Sequence, residues 1–231
     1  MFRGVQAHSG VVVMIARVRD DGFIEFLGSG FAAHSSGYVL TAAHILDLTA
    51  KLVVTSAPHV NTFAPRTASR VESAAAMVAQ YDAVNDVALL KVTDVVSIHV
   101  PPQWAGQGMT VPSGSSVGIL GVPFGDRDMH VQKITASIIA GKSTTDQGAH
   151  QLHIDANLHE GNSGGPVIAL QTGQIIGIVS GRFSPTGSKP VARIGNFALG
   201  QDSTLSFATP IEFGIALLKS GGARCLRNSM K

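Results

Sequence analysis

Apolar residues recur along the chain in short runs, each closed by glycine, proline or polar turn residues. A first series occupies residues 11–18, 24–33, 38–41, 52–55, 71–78 and 87–92. A second occupies 117–120, 131–139, 152–154, 167–170, 175–180 and 205–208. Most are rich in Val and Ile and too short for helices, so the pattern predicts strands. The break between the series carries Pro101, Pro102, Gly106, Gly108, Pro112 and Gly114 and reads as a linker. Trp104 within it is expected to anchor the linker against the lobes. The division is therefore a first lobe over 1–98, a linker over 99–115 and a second lobe over 116–231. One helical turn is expected after Ala42-Ala43-His44. A longer helix should follow Pro210, with Ile211, Ile215 and Leu218 on one face and Gly221 at its stop. The fold class is all-β: two six-stranded antiparallel barrels side by side, closed by a short C-terminal helix.

Composition agrees with this picture and narrows the chemistry. Hydrophobic residues make up 45% of the chain and charged ones 14%, enough for a sizeable core. The 26 glycines are scattered, which excludes a collagen-like period, and the apolar content excludes a disordered chain. A formal charge of +2 without a basic run points to neither nucleic acid nor a membrane surface as partner. Arg224, Arg227 and Lys231 read as a solvated tail. Cys225, the single cysteine, excludes an internal disulfide framework. No Cys/His spacing suits a metal, so neither metal nor cofactor is expected. The apolar run at 11–16 is short for a secretory leader, and no stretch has the length of a membrane span. A soluble, cytoplasmic product is the expectation from these features.

Three segments carry chemistry. Amide hydrolysis needs an activated hydroxyl, a base held in one tautomer, and donors for the developing oxyanion. In Glu160-Gly161-Asn162-Ser163-Gly164-Gly165-Pro166, glycines around Ser163 permit a tight turn with successive N–H groups aimed at one place. Gly161 and Ser163 would supply the oxyanion donors, with Asn162 turned aside or nearby. A glycine-rich hairpin carrying a serine by accident is the plain alternative for that segment alone. In Gly37-Tyr38-Val39-Leu40-Thr41-Ala42-Ala43-His44, a strand runs into small residues that present an imidazole on a cleft wall. In Asn85-Asp86-Val87-Ala88-Leu89-Leu90, an aspartate opens an apolar strand, a costly place for a carboxylate unless something hydrogen-bonds to it. Asp82 and Asp94 compete with Asp86 but head no apolar strand so cleanly. Taken together, the order His, Asp, Ser is more specific than any one segment.

These blocks resemble those of trypsin/chymotrypsin-like serine proteases, and most closely the bacterial HtrA/Deg type. Gly28-Ser29-Gly30-Phe31, Gly121-Val122-Pro123-Phe124-Gly125 and Ser206-Phe207-Ala208-Thr209-Pro210 share that likeness. The resemblance implies a chymotrypsin-like fold and a peptidase with His44 as general base, Asp86 as its orienting acid and Ser163 as nucleophile of an acyl-enzyme. It places the first specificity pocket at Asn157 and Leu158, with a wall of Ile178, Val179, Ser180, Gly181 and Ala208. Without an acid at Asn157, a small or medium uncharged residue before the cleaved bond is expected. Asn162 stands where secreted trypsins carry an aspartate that pairs with a new N-terminus, so activation by cleavage is not expected. The implied partners are a protein or peptide substrate and a possible regulatory protein or second copy that gates the site. The polar stretch 182–203 reads equally well as a plain surface loop and as a lid or partner-docking loop. A catalytically silent binding module, and an esterase or acyltransferase using the same triad, are the competing functions.

Overall fold

A computed structural model describes residues 3–66, 72–94, 98, 100–127, 129–182, 192–194, 197–199 and 205–221. Six strands form the first closed barrel: β1 (Val12–Val18), β2 (Ile24–His34), β3 (Tyr38–Thr41), β4 (Lys51–Ser56), β5 (Ser73–Asp82) and β6 (Val87–Val92), in the order β1-β2-β3-β6-β5-β4. The second barrel takes β7 (Ser116–Gly121), β8 (Lys133–Thr144), β9 (His150–Asp155), β10 (Pro166–Ala169), β11 (Ile175–Arg182) and β14 (Leu205–Pro210), in the order β10-β11-β14-β9-β8-β7. All pairings within the barrels are antiparallel. Two further strands, β12 (Ala192–Ile194) and β13 (Phe197–Leu199), pair in the stretch expected to be a polar loop; its other residues past Arg182 lie outside the described ones. Cys225 and the basic tail also lie outside them.

Strand periodicity explains how the barrels meet. Side chains alternate between the two faces of a strand, and on β6 both faces are buried. Leu90 and Val92 fill the first barrel with Ile15, Val39 and Leu52. Val87 and Leu89 face outward and join Phe31 and Leu40 in a cluster shared with Leu120, Ile168 and Ile178 of the second barrel. The C-terminal helix α2 (Ile211–Ser220) adds Ile211 and Leu218 to that cluster. It is fastened across the lobes by Tyr38, whose hydroxyl donates to Gly221 O at 3.0 Å. Trp104 lies edge-on to Phe31, with ring centroids 5.9 Å apart, and its carbonyl accepts from Ile175 N–H at 2.8 Å.

Two local features differ from the sequence expectation. The segment after Ala43 is a hydrogen-bonded turn, Leu46 N–H to Ala43 O at 3.1 Å, and does not extend into a helix. The N-terminus carries a short helix, α1 (Arg3–Ala7), and a 3-10 turn at Ser9–Val11. A five-residue helix has no stability of its own. This one is held because Val5, fully buried, sits over Gly118 of β7, where any Cβ would come within 2.6 Å of Val5 Cγ2. Val5 and His8 thus rest on the second barrel.

Candidate active site

Asp86 closes the turn between β5 and β6 in a left-handed conformation, φ 54°, which Asp tolerates better than most residues. Asp82 builds that turn: its Oδ1 accepts from the N–H groups of Val84 and Asn85, both at 3.0 Å, and its Oδ2 from Asn85 Nδ2 at 2.7 Å. Thr209 of β14 donates its hydroxyl to Asn85 O at 2.6 Å, tying the turn to the second barrel. Asp94 is occupied elsewhere, accepting from Ala75 N–H at 2.9 Å. Of the three aspartates considered in sequence, Asp86 is the one that meets His44. It does so twice, Oδ1 accepting from the backbone N–H and Oδ2 lying 2.8 Å from Nδ1. The Asp86 side chain is 26% exposed and that of His44 46%, so the imidazole reaches the surface from a more sheltered carboxylate.

Ser163 lies against the strand that delivers His44 because Gly164 has no side chain. A Cβ on Gly164 would stand 2.1 Å from Ser29 O, 2.2 Å from Thr41 Oγ1 and 3.0 Å from Ala42 N. Its φ of 85° also requires glycine. Gly28 lies between Ser163 O and the side chain of Ile45, the residue after His44. The turn is pinned to β11 as well: Gly164 N–H donates to Val179 O at 2.7 Å, and Val179 N–H to Gly165 O at 2.9 Å.

The carbonyls of residues 160 to 163 each point at a protein donor. Glu160 O accepts from Phe124 N–H at 2.9 Å, Gly161 O from the Ser29 hydroxyl at 2.6 Å, Asn162 O from Gly165 N–H at 2.9 Å, and Ser163 O from Ser29 N–H at 2.8 Å. In a trans peptide the N–H points opposite to the carbonyl, so these contacts also fix the direction of each following N–H. Asn162 N–H is spent on His159 O at 3.1 Å, as is its side-chain Nδ2 at 3.0 Å. Among the described residues, the N–H groups of Gly161 and Ser163 donate to no protein acceptor. Two unspent donors therefore flank a turned-away Asn162 beside a hydroxyl, a donor pair suited to an oxyanion.

The residues expected to form a specificity pocket are placed unevenly. Asn157 is exposed, and its Oδ1 accepts from Arg182 Nη1 at 2.9 Å. Leu158 is buried, with its N–H on the Ser206 hydroxyl at 3.2 Å. Ile178 packs between the barrels, while Val179 and Ala208 fill the second barrel, so those three side chains line no open pocket. Ser180 sits at a β-bulge. With Gly181, Asp86, His150 and Phe207 it lines a cavity of about 130 Å³. A larger hollow of about 760 Å³, between the linker and the β10–β11 hairpin, includes none of these residues. Two contributors carry little signal in the sequence. Ser29 was visible only as part of a glycine-rich block, and His159 acts through a backbone carbonyl that leaves no side-chain signature.

Comparisons with known proteins bear on the family and the fold. Residues 28–178 match the family model of the trypsin-like peptidase domain. A DegP-like periplasmic serine endoprotease of Pseudomonas putida F1 is 32% identical over 82% of this chain and 33% of its own length. The magnetosome formation protease MamE of Magnetospirillum gryphiswaldense is 28% identical over 80% of this chain and 22% of its own. The chain spans about a third of the length of the DegP-like relatives it matches. Among solved structures, the HtrA-type protease AlgW with a tripeptide superposes with a TM-score of 0.69 at 20% identity, over 95% of this chain and 63% of that one. The relatives named periplasmic overturn the cytoplasmic expectation, which rested on the lack of a recognisable leader and of a stretch long enough to span a membrane. By the matched domain and the two-barrel fold, this chain belongs to the trypsin-like peptidase family.

Proposed function

We propose that the chain is a serine endopeptidase that cleaves peptide bonds through an acyl-enzyme. Ser163 is the nucleophile, His44 the general base and then the general acid, and Asp86 the group that holds the imidazole. With Nδ1–H donated to Asp86 Oδ2, the lone pair of Nε2 faces away from the carboxylate and is free to take the Ser163 proton. The imidazolium that forms is stabilised by the same carboxylate. Gly161 N–H and Ser163 N–H receive the oxyanion of each tetrahedral intermediate. The observation that carries this reading is the donor pair left unspent while the four surrounding carbonyls are engaged.

Because those carbonyls are held by the chain itself, the reading favours a domain competent without a partner to order its hole. Gating by a regulatory protein or a second copy would then act on access to the cleft. Asn157 puts no acid at the expected pocket floor, which supports cleavage after uncharged residues. Labelling with a fluorophosphonate probe tests the proposal. Wild type should gain one adduct, mapped to Ser163, and Ser163→Ala should gain none. Unlabelled wild type would favour a silent binding module. Labelling with ester turnover but no peptide cleavage would favour an esterase or acyltransferase.

A further inference from the structure

Ser29 is fully buried on β2 of the first barrel, yet every polar group it owns is directed at the second barrel or at the strand leading to His44. Its hydroxyl donates to Gly161 O at 2.6 Å and accepts from Val122 N–H at 2.9 Å. Its N–H donates to Ser163 O at 2.8 Å, and its carbonyl accepts from the Thr41 hydroxyl at 2.7 Å. Ser29 therefore holds the carbonyls of Gly161 and Ser163, the same two residues whose N–H groups form the donor pair.

Gly161 is the weak point of that pair. At φ 92° it is free, as glycine, to let the neighbouring peptide units rotate. Its N–H belongs to the Glu160–Gly161 peptide, fixed by Phe124 on one side only. The peptide on the other side, Gly161–Asn162, is held at both ends, by the Ser29 hydroxyl and by His159 O. Deleting the hydroxyl would leave Gly161 O and Val122 N–H without the partner that the buried Ser29 supplies. A rotation that re-satisfies them would turn the Gly161 N–H away from the oxyanion.

We propose that Ser29 is a positioning residue of the oxyanion hole, its hydroxyl clamping the Gly161–Asn162 peptide from the opposite barrel. This rests on the endopeptidase reading above. The test compares wild type, Ser29→Ala and Ser163→Ala for peptide turnover, for affinity toward a peptide boronate, which places an oxygen in the hole, and for thermal unfolding. Ser29→Ala is expected to lower kcat about tenfold with KM held within about twofold, less than the hundredfold or more lost with a hole donor itself. Boronate affinity should weaken by a similar factor. A merely structural role would lower the unfolding temperature while leaving boronate affinity of the folded protein unchanged, and that result overturns the proposal. Should Ser29→Ala fail to fold, Ser29→Cys, which keeps the bulk and gives up most of the hydrogen-bond strength, is scored in the same way. Wild type with no more turnover than Ser163→Ala would overturn the endopeptidase reading, and this proposal with it.

Discussion

Asp86 makes two contacts with one histidine, and an amide can imitate only one of them. In Asp86→Asn, keeping an oxygen on His44 N–H puts the amide NH₂ against Nδ1. The imidazole must then carry its proton on Nε2, where it cannot serve as a base. The expected loss in kcat is about 10⁴-fold with folding intact; activity within tenfold of wild type would contradict the assignment. At Gly164 the constraint is steric. Ala there meets Ser29 O and Thr41 Oγ1 at little more than 2 Å in a positive-φ backbone. Gly164→Ala should cost about 3 kcal/mol or more in denaturant unfolding. The residue scale was partly legible in sequence. Asp86 stood out because it opens an apolar strand, whereas the roles of Ser29 and His159 depend on backbone contacts between distant segments.

At the scale of elements, the N-terminal segment has a built-in pH dependence. His8 is buried, with Nε2 on Gly173 O at 2.7 Å and Nδ1 without a partner among the described residues. Burial pushes its pKa below the ordinary imidazole value, partly opposed by the Gly173 carbonyl. The unfolded chain, at about 6.5, therefore takes up the proton first. The stability is present above that pH and is lost as pH falls toward the lower folded-state value. His8→Gln, which keeps a donor for Gly173 O, should flatten the decline in unfolding temperature between pH 7.5 and 5.5; parallel declines in both proteins would contradict this. No sequence pattern announced the docked segment, since its fit depends on Gly118 lying under Val5. The β5 strand was also placed imperfectly. It runs on to Asp82, past the predicted end at 78, because Gln80 and Asp82 on its half-buried face break the hydrophobic signal, and Val71 at the predicted start lies outside the described residues.

At the scale of the molecule, the proposed triad draws on both barrels: His44 and Asp86 come from one and Ser163 from the other. The shared cluster around Phe31 makes that junction part of the core. Phe31→Ala should cost about 3–5 kcal/mol. Trp104, the single tryptophan, packs on Phe31 and reports the junction by fluorescence. Fluorescence and circular dichroism should unfold together in both proteins, at a lower midpoint in the variant; separated transitions would contradict a shared core. The two barrels were legible because two series of six strands leave few ways to bury both faces. The expected pocket wall was legible only in part: Ile178, Val179 and Ala208 have their side chains in the cores of the junction and the barrel, while Ser180 and Gly181 line a small cavity. The compartment was not legible at all, because the lack of a recognisable leader is no evidence of location. The most direct test of the endopeptidase reading is digestion of an unfolded polypeptide by the purified chain, followed by mass spectrometry with Ser163→Ala in parallel. Internal cleavages by wild type and none by the variant are predicted; equal fragments from both, or none from wild type, would contradict it.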